Sequence, residues 1–203
     1  MVDSKHISAR SCFDLSTKPS DTNEFYVASS SGDIVCCRRF GELPSPCNFS
    51  PTALPDACLC LKFSPFMSNI LVAGYESGSV NLFSLDSTEP ILIWNSVSEH
   101  NIINIEWSSH RPSVFIALDS AGTLLAFDLL NDEQRPTQIA SLGYSIPSMS
   151  LSARGKDERN SQSILAVPDK DSSSVQAILL NDTLSLAKTN ELTQFQGLMN
   201  SVC

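Results

Sequence analysis

The side chains able to do acid–base or metal chemistry are few. The 203 residues hold three histidines, His6, His100 and His110, and seven cysteines. A general base needs a partner within hydrogen-bond reach. Glu99 and His100 are neighbours, but consecutive strand residues point to opposite faces, so they make no acid–base pair. His6 lies in a polar start and His110 in a turn. Cys58 and Cys60 would share one strand face, as two metal-binding sulfurs should, yet no second pair answers them at zinc spacing. Gly74-Tyr75-Glu76-Ser77-Gly78 has the spacing of neither a nucleophile elbow nor a phosphate-cradling loop. The sequence therefore predicts no enzyme and no catalytic, cofactor-binding or metal site.

Composition narrows the classes further. Thirteen basic residues against 22 acidic ones give a net charge of −9. Phosphate attracts basic surface, so a broad nucleic-acid or anionic-membrane footprint is not expected. No stretch approaches the roughly 18–20 apolar residues that span a bilayer. Met1 to Arg10 has no apolar core followed by small residues, so no signal peptide and a cytoplasmic location are expected. The cysteines are odd in number and sit mostly in apolar runs. They read as reduced and buried, with a disulfide framework as the alternative.

The elements that position these side chains read as strands. Residues 1–23 are polar with weak strand signals. Glu24 to Ser30 and Ile34 to Phe40 read as a hairpin around Ser31-Gly32-Asp33, where glycine supplies a positive φ. Then a pattern occurs twice, about 44 residues apart. Cys58-Leu59-Cys60-Leu61-Lys62-Phe63-Ser64-Pro65 leads to Asn69–Gly74 and Ser77–Phe83. Ile102-Ile103-Asn104-Ile105-Glu106-Trp107-Ser108-Ser109 leads to Ser113–Asp119 and Ala121–Asp128. Gly78 matches Gly122, and Phe63 matches Trp107. A looser copy spans Ile146 to Leu151, Ile164 to Val167 and Val175 to Leu180, with a charged insertion from Arg154 to Ser163. Pro168 to Ser174 replaces the glycine turn. Leu184 to Ala187 reads as an outer strand, and Glu191 to Met199 as strand or short helix. Strand-only units at a period of roughly 40–45 residues mark β-propeller blades. The expected organisation is a polar segment 1–23, about four blades over 24–188 (24–56, 57–101, 102–145 and 146–188) and a tail 189–203.

These residues resemble the WD-repeat propellers. His100 stands before the strand ending in Trp107-Ser108, as that family's histidine does. Phe63-Ser64-Pro65 ends the equivalent strand one unit earlier. Gly78 and Gly122 hold the turn, and Phe127-Asp128 stands for Trp-Asp. The resemblance implies structural blade roles for Gly78, His100, Trp107, Gly122 and Asp128. The turn aspartate of the family is Ser77 in one unit and Ala121 in the next, so its hydrogen-bond network is incomplete.

A narrower resemblance is to dynein intermediate chains. Trp107-Ser108-Ser109-His110-Arg111-Pro112-Ser113-Val114-Phe115 and Leu118-Asp119-Ser120-Ala121-Gly122 carry it, with Phe63-Ser64-Pro65 and Val72-Ala73-Gly74 fitting the preceding blade. It covers about residues 57–142 and is nearest to the dynein 2 kind, with axonemal chains as the alternative. It implies a non-catalytic motor subunit in the cytoskeleton and cilium. Its propeller would bind a dynein heavy chain and other motor subunits and support retrograde transport. No nucleic acid, small-molecule substrate or membrane insertion is implied. A WD adaptor unrelated to motors, such as a ubiquitin-ligase substrate receptor or trafficking scaffold, is the other function class. Closed WD propellers usually have about seven blades, so four degenerate units imply a partial, unclosed propeller within a longer protein or a short isoform. Blades supplied by another chain are the alternative.

Overall fold

A computed structural model describes residues 11–51, 56–152, 163–169 and 174–202. His6 and the charged cluster at 156–159 lie outside the described residues, as do most of the 154–163 insertion and of the 168–174 turn. The described residues are mostly β and form four separate antiparallel sheets. The first blade is β1 (Cys12–Lys18), β2 (Asp21–Ser29), β3 (Ile34–Arg38) and β4 (Asn48–Phe49). The second is β5 (Cys58–Phe63), β6 (Ile70–Tyr75), β7 (Val80–Ser84) and β8 (Pro90–Trp94). The third is β9 (Ile102–Trp107), β10 (Val114–Asp119), β11 (Thr123–Asp128) and β12 (Gln138–Ser141). The fourth has three strands, β13 (Ser150–Leu151), β14 (Ile164–Pro168) and β15 (Val175–Leu179). Two helices follow, α1 (Asp182–Ser185) and α2 (Glu191–Val202).

Alternation along each strand sends side chains to two faces, and each face meets a neighbouring blade. On β6, Leu71 and Ala73 join Tyr26, Ile34, Phe49 and Phe63 between the first and second blades. Ile70 and Val72 on its other face join Trp94, Ile105, Trp107 and Phe115 between the second and third. On β10, Phe115 and Ala117 face the second blade, while Val114, Ile116 and Leu118 meet Ile146, Leu165 and Val167 of the fourth. All six residues of β6 and all six of β10 are buried. Burial on both faces explains why the middle blades read as continuous apolar runs. The outermost faces lack such a neighbour among the described residues. Phe13 and Leu15 on one end, and Val175 and Leu179 on the other, stay exposed.

Two elements differ from the expectation at their positions, and a third resolves an open alternative. The 1–23 segment, with only weak strand signals, contains β1 and the start of β2. β1 is held through a polar group, since the Leu61 N–H of β5 donates to Asp14 Oδ2 at 2.9 Å. The expected outer strand at Leu184 to Ala187 is instead the short helix α1. Asn181 caps it by accepting from the Leu184 N–H, and Asp182 sits in its first turn, where the helix dipole favours an acid. The ambiguous stretch from Glu191 is the helix α2. Phe195 and Met199, one turn apart, are its buried face.

The blades are spaced by their turn glycines. Gly78 and Gly122 have φ of +79° and +86°. Above each passes the segment leading to the next blade. A Cβ on Gly78 would overlap the Ser98 carbonyl oxygen, and one on Gly122 the Tyr144 carbonyl oxygen. Gly143 has a similar φ of +78° but open space around it. Gly143→Ala should therefore cost only the left-handed strain, about 1–2 kcal/mol. Gly122→Ala should cost about 1–3 kcal/mol more, because backbone must also move. Urea unfolding of the two variants checks this, and equal losses would remove the packing role of the linker.

Candidate interaction site

The aromatic-Ser ending of the innermost strands has a local reason. Ser64 Oγ accepts from the N–H groups of Phe66 and Met67, both at 3.3 Å. Ser108 Oγ accepts in the same way from His110 at 3.3 Å and Arg111 at 3.1 Å. The hydroxyl turns the chain and returns it as the next strand. In the third blade this turn aims the Arg111 side chain inward.

Arg111 is fully buried. Its Nε donates to Glu191 Oε1 at 2.9 Å and Oε2 at 3.2 Å. Its Nη1 donates to the Thr183 carbonyl of α1. Its Nη2 lies 2.9 Å from both Asp128 Oδ2 and Glu191 Oε1, an ion-pair contact with each. Ser113 Oγ stands 3.0 Å from Asp128 Oδ1 and 2.6 Å from Glu191 Oε1. Lys188 Nζ approaches Asp128 Oδ2 at 3.3 Å, and the Lys188 N–H donates to Glu191 Oε2 at 2.9 Å. Two carboxylates thus face two cations. Of these, only Lys188 reaches solvent, its side chain 53% exposed. The cluster fastens α1 and α2 to the third blade.

The expected site residues fall into this frame unevenly. Asp128 is in the ion cluster. Trp107 lies beside it, its ring 5.2 Å from that of Phe115 and 6.2 Å from that of Phe195 on α2. Its Nε1 donates to the Lys62 carbonyl of the second blade at 3.1 Å. Gly78 and Gly122 sit in the blade turns, away from the cluster. His100 is exposed, and its backbone N–H donates to Ser98 Oγ. The bond between linker and turn is made instead by Ser98 Oγ, which donates to Asp119 Oδ2 at 2.6 Å. Asp119 Oδ1 also accepts from the N–H groups of Ala121 and Thr123. In the second blade Asp56 takes the equivalent part, accepting from the Ser77 N–H. Arg111 and Glu191, 80 residues apart, were not singled out. The one available signal is a basic residue before Pro112 in the polar turn between two apolar strands.

The ends of β5, β9 and β13 enclose a cleft of 410 Å³. Phe63, Phe66, Trp107 and Leu151 supply apolar wall, and Lys62 and Glu106 a polar rim. Lys62 Nζ and Glu106 Oε1 are 2.9 Å apart. Around Cys58 and Cys60, burial pushes both thiols up, away from the reactive thiolate. Among the described residues no three His, Cys, Asp or Glu side chains stand close enough to hold a metal ion. The geometry of the described residues offers a strand-framed surface with an apolar cleft.

No protein-family model matches the chain. Cytoplasmic dynein 2 intermediate chain 1 of Mus musculus is 32% identical over 169 residues, covering 81% of this chain and 16% of that protein. The protein of the same name from Homo sapiens is 30% identical over 153 residues, 73% of this chain and 14% of that one. Cytoplasmic dynein 2 intermediate chain 2 of Mus musculus is 31% identical over 94 residues, 46% of this chain and 17% of that one. The aligned chain thus spans less than a fifth of the length of these relatives.

Removing one partner of a buried ion pair leaves the other charge unpaired in a poor solvent. Arg111→Leu should destabilise the chain by about 3–5 kcal/mol in urea unfolding. It should also speed protease cleavage around Lys188, since α2 loses its anchor. Adding Glu191→Leu to Arg111→Leu should restore part of the loss. An Arg111→Leu chain as stable as the parent would show that the cluster does not hold the helix.

Proposed function

Because this chain is homologous over most of its length to cytoplasmic dynein 2 intermediate chains, we propose that it is a non-catalytic scaffold subunit of a dynein motor complex. The observation that carries this reading is the 32% identity over 81% of the chain. An all-β array of blades agrees with it, because the strands fix a frame on which the connecting loops form a binding face. Binding of the heavy chain through the blades and a part in ciliary retrograde transport extend the same reading. The location that goes with it is cytoplasmic and ciliary. No helix among the described residues is long and apolar enough to cross a membrane. We assign the partner contact to the cleft at the ends of β5, β9 and β13. It is concave and apolar, and its charged rim would fix the register of a partner.

Affinity purification of the tagged chain from ciliated cells tests this, with the recovered proteins identified by mass spectrometry. Dynein 2 heavy chain should be enriched. Recovery of cullin or coat components without heavy chain would instead identify an adaptor unrelated to motors. Lys62→Glu tests the cleft. Lys62 is half-exposed, so the reversal loses an ion pair worth less than about 1 kcal/mol and sets a like charge beside Glu106, and stability should fall by no more than about 1–2 kcal/mol in urea unfolding. Heavy-chain recovery should fall by about tenfold, the effect of losing roughly 1.4 kcal/mol of contact. Unchanged recovery would move the contact elsewhere on the blades.

A further inference from the structure

Two thiols that the scaffold reading leaves unused stand opposite each other. β3 and β4 pair antiparallel, with Ile34 against Phe49 and Val35 against Asn48. One register step further, Cys36 meets Cys47, and the Cys36 N–H donates to the Cys47 carbonyl at 2.8 Å. The pairing proper ends at Val35 and Asn48, and this single N–H···O bond carries the register on to the two cysteines; Cα atoms of opposed antiparallel residues lie about 4.5–5.5 Å apart. Disulfides join Cα atoms roughly 4.4–6.8 Å apart. Opposed residues also share one face of the sheet. Both side chains accordingly pack on the core between the first and second blades. Both are free thiols.

We propose that Cys36 and Cys47 are a redox-responsive pair that closes into a cross-strand disulfide and fastens β4 to the first blade. β4 has only two residues, and Phe49 is its buried anchor. A covalent link beside Phe49 would close the 37–46 loop, which carries the exposed Phe40 and Leu43. The oxidant is a low-molecular-weight disulfide such as oxidised glutathione. Cys47, half-buried, is the thiol that such a reagent reaches first. Its thiolate attacks one glutathione sulfur and expels a glutathione thiolate. The Cys36 thiolate then attacks the Cys47 sulfur of the mixed disulfide and expels the second. Two protein S–H bonds are lost, one S–S bond forms, and the two protons end on two reduced glutathiones. Burial raises the Cys36 thiol, which makes the second exchange the slow one.

The test is native treatment of the whole chain with oxidised glutathione, followed by thiol titration and peptide mapping without reduction. The expected result is loss of two thiols and one linked pair of peptides containing Cys36 and Cys47. Dithiothreitol should reverse both changes. Cys47→Ser should abolish the link and leave Cys36 reduced, with far-UV circular dichroism verifying that this variant is folded. Mapping of the unsubstituted chain stands whether or not the variant folds. A persistent glutathione adduct on Cys47, a link between other cysteines, or retention of every thiol would each overturn the proposal.

Discussion

Arg111 is the constraint from which the C-terminal half of the structure follows. A guanidinium with no solvent contact is unfavourable unless carboxylates and carbonyls surround it. Asp128 alone, at the end of β11, supplies one side of that shell. The other side must come from Glu191 and the Thr183 carbonyl, both far along the chain. The tail therefore cannot leave the blades after β15. It crosses toward the third blade, where Asn181 Nδ2 donates to Gln138 Oε1 on β12, and turns into α1. It then begins α2 with Glu191 at the ion cluster. Phe195 and Met199 fall one and two turns later, against Trp107 and the core between the second and third blades. A buried pair such as this contributes little net stability compared with apolar side chains of the same volume. Its effect is to select one docking of the helix, because any displaced position leaves a charge unpaired.

A second constraint acts at the opposite ends of the strands. Each segment between blades does two jobs. It lies over the turn glycine of the blade it leaves, and it hydrogen-bonds the turn of the blade it enters. The segment through Ser98 shows both, covering Gly78 and donating to Asp119. The blades are thus stapled at their turns as well as packed face to face. Neighbouring innermost strands add cross-links, Lys62 to Glu106 and the Asp14 carboxylate to the Leu61 N–H. A surface spread over several blades can then stay in register, which a binding scaffold requires.

How much of this was legible depended on which physics set each element. The middle blades were readable because Ile70–Tyr75 and Val114–Asp119 are apolar on both faces and end at glycine turns. β1 was poorly readable because its place depends on a carboxylate reaching across to β5. Nothing in Cys12–Lys18 announces that partner. The position of α1 reads as strand because Leu184, Leu186 and Ala187 are apolar, yet Asn181 and Asp182 before it form a helix start. Asn181 shows that a capping residue outweighs a short apolar run. The Arg111–Glu191 contact was beyond local patterning altogether, since 80 residues separate the partners.

The degraded turn motif carries the last step. The expected aspartate is Ser77 in one blade and Ala121 in the next, which suggested a missing network. Acceptors are nonetheless present in both turns, from different positions in the sequence. Asp56 reaches the Ser77 N–H from the linker before its blade, whereas Asp119 reaches the Ala121 and Thr123 N–H groups from the strand before the turn. What the turn uses is a carboxylate that accepts from its backbone N–H groups, which would otherwise lack a partner within the chain. That role fixes a location in space but not a residue number. The repeat can therefore decay as a sequence while its geometry persists. His100 illustrates the same freedom, for once Ser98 and Asp119 bridge linker and turn, the histidine side chain is released to the surface.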